Sequence, residues 1–141
     1  MRARILVVDD DANIRELAAL HLRAAGYSVR LAEDGIAAGY AVLESPPDLI
    51  LCDNHMPGMT GLEFVAALRA DTTIPRMPVL FLSSIDDGAD CAHLGVAETL
   101  AKPLRADVLL AAVSKHLPRY SPLADYLAPG VPRLQGWEPC V

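Results

Sequence analysis

The sequence has few cysteines, and their spacing suits neither a metal site nor a disulfide framework. Its three cysteines, Cys52, Cys91 and Cys140, lie far apart and form no C-x-x-C pair. An odd, scattered set argues against a disulfide scaffold and against a structural zinc site. A reducing compartment is the simplest environment for such a chain. We therefore expect a cytoplasmic protein.

Long apolar runs and targeting patterns are also missing. No apolar run approaches the roughly 18 residues that a membrane-spanning helix needs. The N-terminal stretch MRARILVVDDD passes from a short strand-like run directly into acids, which is not the pattern of a signal peptide. The sequence thus predicts no membrane association.

Basic clusters and aromatic residues are scarce. The formal net charge is -6, and no patch of Lys and Arg stands out. Because surfaces that bind nucleic acid are normally basic, we expect no direct contact with DNA. Hydrophobic residues make up 52% of the chain but aromatic residues only 5%. The core should therefore be aliphatic, which suits helices packed on a parallel sheet.

Five short apolar runs alternate with helical patterns along the chain. This alternation predicts an α/β domain with successive βαβ units and a parallel sheet. The fourth connection, Ile85 to Leu94, contains three aspartates and Gly88, so its helix should be short or irregular. The predicted strands are Arg4–Val8, Val29–Ala32, Leu49–Cys52, Val79–Leu82 and Thr99–Ala101, and the predicted helices are 12–25, 36–43, 62–68 and 106–117. On the first helix, Ile14, Leu17, Ala18, Leu22 and Ala25 are predicted to share the buried face.

The composition changes after Leu117. Residues 118–141 contain five prolines and no long periodic segment. We predict one domain over residues 1–117, followed by a proline-rich tail at 118–141 without a separate output domain. The apolar tail residues Leu123, Tyr126, Leu127 and Trp137 are expected to pack on the domain or across a homodimer.

Polar side chains follow the predicted strands where the strands end. Asp9 and Asp10 follow the first strand, Asp53 the third, Ser83 the fourth and Lys102 the fifth. In a doubly wound sheet these ends meet in one crevice. Clustered carboxylates repel one another unless a cation compensates them, and Mg²⁺ prefers such oxygen ligands. An aspartate beside Mg²⁺ and a lysine can attack phosphorus and form an acyl phosphate.

Four stretches, ILVVDDD, DNHMPGMTG, VLFLSS and LAKPL, occur in order, each with its polar residue at a strand end. On these stretches, the chain from Arg2 to about Leu117 resembles the receiver domain of two-component response regulators. The resemblance implies a flavodoxin-like sheet of order 2-1-3-4-5. It also implies a single-domain switch that takes a phosphoryl group from a histidine kinase or phosphotransfer protein and then changes its binding of a downstream protein. Such a protein is no enzyme beyond its own phosphorylation and dephosphorylation.

The same resemblance implies roles for individual residues. Asp53 would be the phospho-acceptor and a metal ligand. Asp10 would bind Mg²⁺ directly, Asp9 through water, and His55 through its backbone carbonyl. Without the resemblance, acids at 9–11 could instead cap the first helix, and Asp11 is expected to do only that.

Three further positions concern the phosphate and the switch. Ser83 and Lys102 match the family's switch hydroxyl and lysine, and the peptide between Lys102 and Pro103 is usually cis there. Thr99 departs from the family, which usually has Tyr or Phe at this position. The segment from Ser83 to Lys102 is also shorter than usual. These departures leave open a pseudo-receiver that binds partners independently of phosphorylation, and a less favoured Mg²⁺-dependent phosphatase.

Overall fold

A computed structural model describes residues 2–83 and 96–117 of the chain. The strands are β1 (Arg4–Val8), β2 (Ser28–Ala32), β3 (Leu49–Asp53), β4 (Val79–Ser83) and β5 (Val96–Ala101). The helices are α1 (Ala12–Ala24), α2 (Gly35–Glu44), α3 (Gly61–Ala70) and α4 (Ala106–His116). The predicted short helix at Ile85–Leu94 and the tail from Pro118 lie outside the described residues. No helix in the described ranges is long and apolar enough to cross a bilayer.

The five strands form one parallel sheet of order β2-β1-β3-β4-β5. This confirms the predicted doubly wound, flavodoxin-like fold. Every residue of β3 and β4 is buried, as expected for central strands covered by helices on both faces. The sheet therefore brings the carboxyl ends of β1, β3 and β4 together at one edge.

The edge strand β5 is longer than predicted. It begins at Val96 rather than Thr99, and a register irregularity lies opposite Val79 and Leu80. Its residues alternate between buried and exposed, and Glu98 interrupts the apolar run. An edge strand with one solvated face lacks the continuous apolar run of a central strand. The sequence therefore predicted only the last three residues of β5.

Two apolar clusters make up the core, one on each face of the sheet. One includes residues of α2 and α3, and the other includes residues of α1 and α4. The buried residues of α1 are Ala18, Ala19 and Leu22. The predicted buried face also included Leu17, which is 40% exposed, and Ala25, which is exposed and caps the end of α1. That prediction was wrong because the buried face of α1 is centred on Ala18, Ala19 and Leu22, so Ala19 rather than Leu17 lies against the sheet.

Helix α2 carries apolar residues on two faces. Its inner face packs against the core through Gly35, Ala38, Ala41 and Val42. Its outer face exposes Ile36, Tyr40 and Leu43, which are 65%, 72% and 61% accessible. These positions are spaced i, i+4 and i+7, so they form one continuous stripe on the helix.

Candidate functional site

Three carboxylates meet where β1 and β3 end. Asp9 directly follows β1, Asp53 is the last residue of β3, and the two strands are paired up to Val8 and Cys52. Asp9 and Asp53 are buried, whereas Asp10 is exposed. One carboxylate oxygen from each acid lies within 4.8 Å of the other two. The parallel sheet thus places all three predicted acids in one cluster.

Asp9 is the most deeply buried member of this cluster. Its Oδ1 accepts a hydrogen bond of 2.9 Å from the Asp11 N–H. Its Oδ2 is buried and accepts no hydrogen bond from the described residues. The pKa of Asp9 is raised from 3.8 to about 6, mainly by burial and in part by the nearby charge of Asp53, while the Asp11 hydrogen bond and the charge of Lys102 act to lower it. A buried carboxylate oxygen without a partner is an acceptor that a bound cation would satisfy.

Lys102 supplies the positive charge at the site. Its Nζ lies 3.2 Å from Asp53 Oδ1 and 3.9 Å from Asp9 Oδ2. The backbone fixes the position of the lysine. Lys102 directly follows Ala101, which is paired with Ser83 at the ends of β5 and β4, and the Lys102 N–H donates to the Ser83 carbonyl over 2.9 Å. The peptide between Lys102 and Pro103 is cis.

The loop after β3 folds back over Asp53. The His55 N–H donates to Asp53 Oδ1 over 3.2 Å, while the His55 side chain is exposed to solvent. Gly58 has a φ of +79°, a conformation that favours glycine. Thr60 caps α3 in a reciprocal pair with Glu63, so the helix begins at a fixed point beside the site.

Gly61 closes this loop against the strand. Its N–H donates to the Asn54 carbonyl over 3.0 Å. A Cβ at this position would lie only 2.8 Å from the backbone oxygen of Asp53. The structure places the positive φ at Gly58, whereas Gly61 permits a close approach of two backbones.

The two remaining predicted residues, Ser83 and Thr99, lie on β4 and β5. Ser83 is buried at the end of β4, and its carbonyl accepts from the lysine backbone. Thr99 is exposed on β5 and is in register with Phe81, two residues before the strand ends. The structure therefore brings Ser83 to the sheet edge that holds the acids, but not Thr99.

Arg15 is a neighbour of the site that sequence reasoning missed. Its Nη1 donates to the backbone carbonyl of Asp9 over 2.7 Å. Arg15 is the fourth residue of α1, and a cation in the first turn opposes the helix dipole. That unfavourable position was the available signal. Asp11 instead follows the capping prediction, because its side chain accepts from the Asn13 N–H.

The site can hold a hard cation and a reactive carboxylate side by side. Carboxylate oxygens are the ligands that Mg²⁺ selects, and the Asp9 oxygen that accepts no hydrogen bond from the described residues fits a site with such an ion. Asp53 Oδ1 accepts from both Lys102 and His55. One oxygen of Asp53 is therefore held by two donors.

Many known proteins are similar to this chain in sequence. The family model described as the response regulator receiver domain matches residues 5–114. The chain is 38% identical over 122 residues to the DNA-binding response regulator MtrA of Mycolicibacterium paratuberculosis, covering 84% of this chain and 53% of MtrA. It is also 38% identical over 125 residues to the response regulator MprA of Mycobacterium sp. (strain KMS), covering 86% of this chain and 54% of MprA. The chain thus spans about half the length of these curated relatives.

Solved structures give the same likeness. The chemotaxis response regulator CheY4 of Vibrio cholerae superposes with a TM-score of 0.77 at 32% identity. That alignment covers 83% of this chain and 100% of CheY4. A response regulator structure from Chloroflexus aurantiacus superposes with a TM-score of 0.76 at 31% identity, covering 84% of this chain and 100% of that one.

Proposed function

This chain belongs to the family of response regulator receiver domains, and from that premise we propose that Asp53 accepts a phosphoryl group from a histidine kinase or phosphotransfer protein. Phosphorylation then switches the binding of a downstream protein. The observation that carries this proposal is the Asp53 carboxylate, held by Lys102 at 3.2 Å beside a buried Asp9 oxygen that accepts no hydrogen bond from the described residues. Each protein molecule accepts one phosphoryl group on its own Asp53. The chain would therefore act as a switch rather than as an enzyme on other substrates.

Mg²⁺ is the proposed cofactor. Asp10 and Asp53 would bind it directly, Asp9 through water, and His55 through its backbone carbonyl. When bound, the ion neutralises charge on the carboxylates and on the transferring phosphoryl group. The three carboxylate oxygens within 4.8 Å of one another, and the buried Asp9 oxygen that accepts no hydrogen bond from the described residues, support a cation at this place.

The transfer uses groups of this chain at defined atoms. An Asp53 oxygen attacks phosphorus, a new O–P bond forms, and the bond between phosphorus and the donor atom breaks. We assign the attack to Oδ2, because Oδ1 accepts from both Lys102 and His55. The Lys102 ammonium then lies close enough to stabilise negative charge on the phosphoryl oxygens. The Ser83 hydroxyl is the proposed donor to one of those oxygens and the first residue to move after transfer.

Signal output is proposed to run through protein contacts of the receiver fold. MtrA is a DNA-binding response regulator by its name, but the matched part of this chain is the receiver fold alone. Residues 1–117 would form the receiver, and residues 118–141 a proline-rich tail.

Phosphorylation in vitro tests the proposal. The protein is incubated with acetyl phosphate and Mg²⁺, and intact mass spectrometry measures addition of one phosphoryl group. We expect the addition in the wild type, none in Asp53→Asn, and none with excess EDTA. Asp48→Asn is the matched control, because Asp48 is another carboxylate but pairs with Arg4 away from the acid cluster. A phosphoryl mass that persists in Asp53→Asn, or never forms in the wild type, contradicts the proposal.

A phosphorylation-independent pseudo-receiver is the second candidate. The exposed Thr99 favours it, because no aromatic ring stands there to change position with the switch. Amide hydrogen exchange of β5 and α4 separates the two functions. Unchanged exchange after phosphorylation of Asp53 supports the pseudo-receiver, whereas altered exchange in these elements supports the switch.

A further inference from the structure

An apolar groove lies between α2 and α3, on the face of the sheet opposite α1 and α4. Its volume is about 390 Å³, and buried Phe64 and Leu68 line it together with exposed Ile36, Tyr40 and Leu43. Asp71 is the one charged residue among the described residues that line it. A groove of this composition is suited to apolar side chains rather than to a charged ligand.

The α2 side of the groove has the pattern of a packing surface. Ile36, Tyr40 and Leu43 form its exposed stripe, and Gly39 lies in the same stretch of helix. A Cβ at Gly39 would meet no atom within 4 Å, so the glycine leaves a notch in the stripe. Singly scattered apolar residues are normal on a protein surface, but three on one helix face beside an apolar groove indicate a contact surface.

We propose that the C-terminal tail of this chain folds back and occupies the groove, with the Trp137 indole as its main anchor. The tail has the required chemistry, because residues 118–141 are rich in proline and apolar side chains. Its four charged residues cancel, since Arg119 and Arg133 balance Asp125 and Glu138. Proline-rich segments are extended before they bind, so less chain entropy is lost when they dock.

The point where the tail begins lies at the correct edge of the sheet. Helices α2, α3 and α4 each follow a parallel strand, so all three run from the acid-bearing edge of the sheet to the opposite edge. Leu117 directly follows α4, and Leu43 lies at the last turn of α2. The tail therefore leaves the domain at the edge where the groove also ends.

The length of the tail is sufficient for the path around this edge. The tail must cross from the α1 and α4 layer to the α2 and α3 layer, which are roughly 20 Å apart for helices on the two faces of a sheet. An extended chain spans about 3.3 Å per residue. The maximum reach from Leu117 is then about 20 Å at position 123 and about 66 Å at position 137. The second half of the tail can lie along the whole groove.

Two competing arrangements are less favoured by the same observations. A cavity of about 380 Å³ lies between β5 and α4, but Glu98, Asp107 and Lys115 line it. A largely apolar tail whose charges cancel therefore suits this cavity less well than the α2–α3 groove. A second copy of the chain would have to compete with a tethered tail, whose effective concentration is of millimolar order for a short linker.

The fluorescence of Trp137 tests the proposal directly, because it is the single tryptophan of the chain. In the dilute full chain we expect blue-shifted emission and protection from acrylamide. In the Ile36→Ser, Leu43→Ser double variant, emission and quenching should move to the values of the urea-unfolded chain. Both side chains are largely exposed, so the fold should be retained, which far-UV circular dichroism checks. Gly39→Arg is a second variant that blocks the notch without removing apolar surface.

Matched controls locate the contact. The Leu17→Ser, Leu20→Ser double variant removes exposed apolar residues from α1, and Val108→Ser alters the cavity beside α4. Neither should change the Trp137 emission. Emission that is already solvent-like in the wild type overturns the proposal, as does a shift caused by the control variants instead of the groove variants. Emission that depends on protein concentration, with a dimeric mass by light scattering, assigns the groove to a second copy and also overturns it.

Discussion

The Nζ atom of Lys102 lies 3.2 Å from Oδ1 of Asp53, although 49 positions separate the two residues in sequence. Backbone pairing creates this contact. Ser83 is in register with Ala101 at the ends of β4 and β5, and the next N–H, that of Lys102, donates to the Ser83 carbonyl. The position of the lysine is therefore set by the sheet, and its charge is held where negative charge develops during phosphoryl transfer.

Lys102→Met should slow phosphorylation of Asp53 without abolishing Mg²⁺ binding. Loss of one preorganised electrostatic contact typically lowers a rate by about 100-fold, so we expect a decrease of this order in the rate of mass addition from acetyl phosphate. Mg²⁺ affinity should not fall, because the substitution removes a cation from beside the acids. Lys115→Met, on the exposed side of α4, is the control and should react like the wild type. An unchanged rate in Lys102→Met would show that the lysine has no role in transfer.

Asp9→Asn should stabilise the metal-free protein at high pH. The folded-state pKa of Asp9 is raised from 3.8 to about 6, mainly by burial. The folded state therefore binds more protons than the unfolded state between these values, so the stability contributed by Asp9 is present below pH 3.8 and lost as the pH rises through 6. Asparagine is uncharged and its oxygen can keep the Asp11 hydrogen bond. We expect a gain of up to about 3 kcal/mol in the free energy of unfolding at pH 8.

Urea unfolding in EDTA measures this difference. At pH 4 the wild type and Asp9→Asn should differ little, and the gap should open across pH 5 to 7. Asp48→Asn should show no such gain, because Asp48 lies in a half-exposed pair with Arg4. The gain in Asp9→Asn should be accompanied by weaker Mg²⁺ binding in calorimetry. Equal stability of the two proteins at pH 8 would refute the burial argument.

Much of the fold could be predicted because its central strands are continuously apolar. Strand β1 has the predicted limits, and β3 and β4 differ by one residue at the carboxyl end. The additional residue is Asp53 in β3 and Ser83 in β4. Each is polar, and each is the last residue of the strand rather than the first residue after it. The site followed from the same pattern, because parallel strands bring their last residues to one edge of the sheet.

Features set by tertiary packing could not be predicted. Leu17 matches the helical period but lies beside the buried stripe, because the period does not fix which side of the stripe meets the sheet. The contact of Arg15 with the Asp9 carbonyl depends on the angle at which α1 leaves β1. The start of β5 depends on pairing with β4, since half of this edge strand faces solvent.

Gly61→Ala should destabilise the protein, whereas Gly39→Ala should not. A Cβ at Gly61 would lie 2.8 Å from the Asp53 oxygen and 3.0 Å from Asn54 Cα, both rigid backbone atoms. Overpacking of this kind costs about 1–3 kcal/mol. At Gly39, inside α2, the new methyl group meets open space, and alanine should stabilise the helix by roughly 0.5–1 kcal/mol. Chemical denaturation of both variants gives the comparison, and a loss at Gly39 matching that at Gly61 would rule out the steric explanation.

Arg15→Met should lower stability, because Arg15 donates a charged hydrogen bond of 2.7 Å to the carbonyl of Asp9. Such bonds contribute about 1.5–3 kcal/mol. Removing a cation from a helix N-terminus returns about 0.3–1 kcal/mol, so the net loss should be about 1 kcal/mol. Arg105→Met is the matched control: this arginine precedes α4, and its exposed side chain pairs with exposed Asp107. The control should change stability by less than about 0.5 kcal/mol, and similar losses in both variants would mean that the Asp9 carbonyl contact contributes nothing measurable.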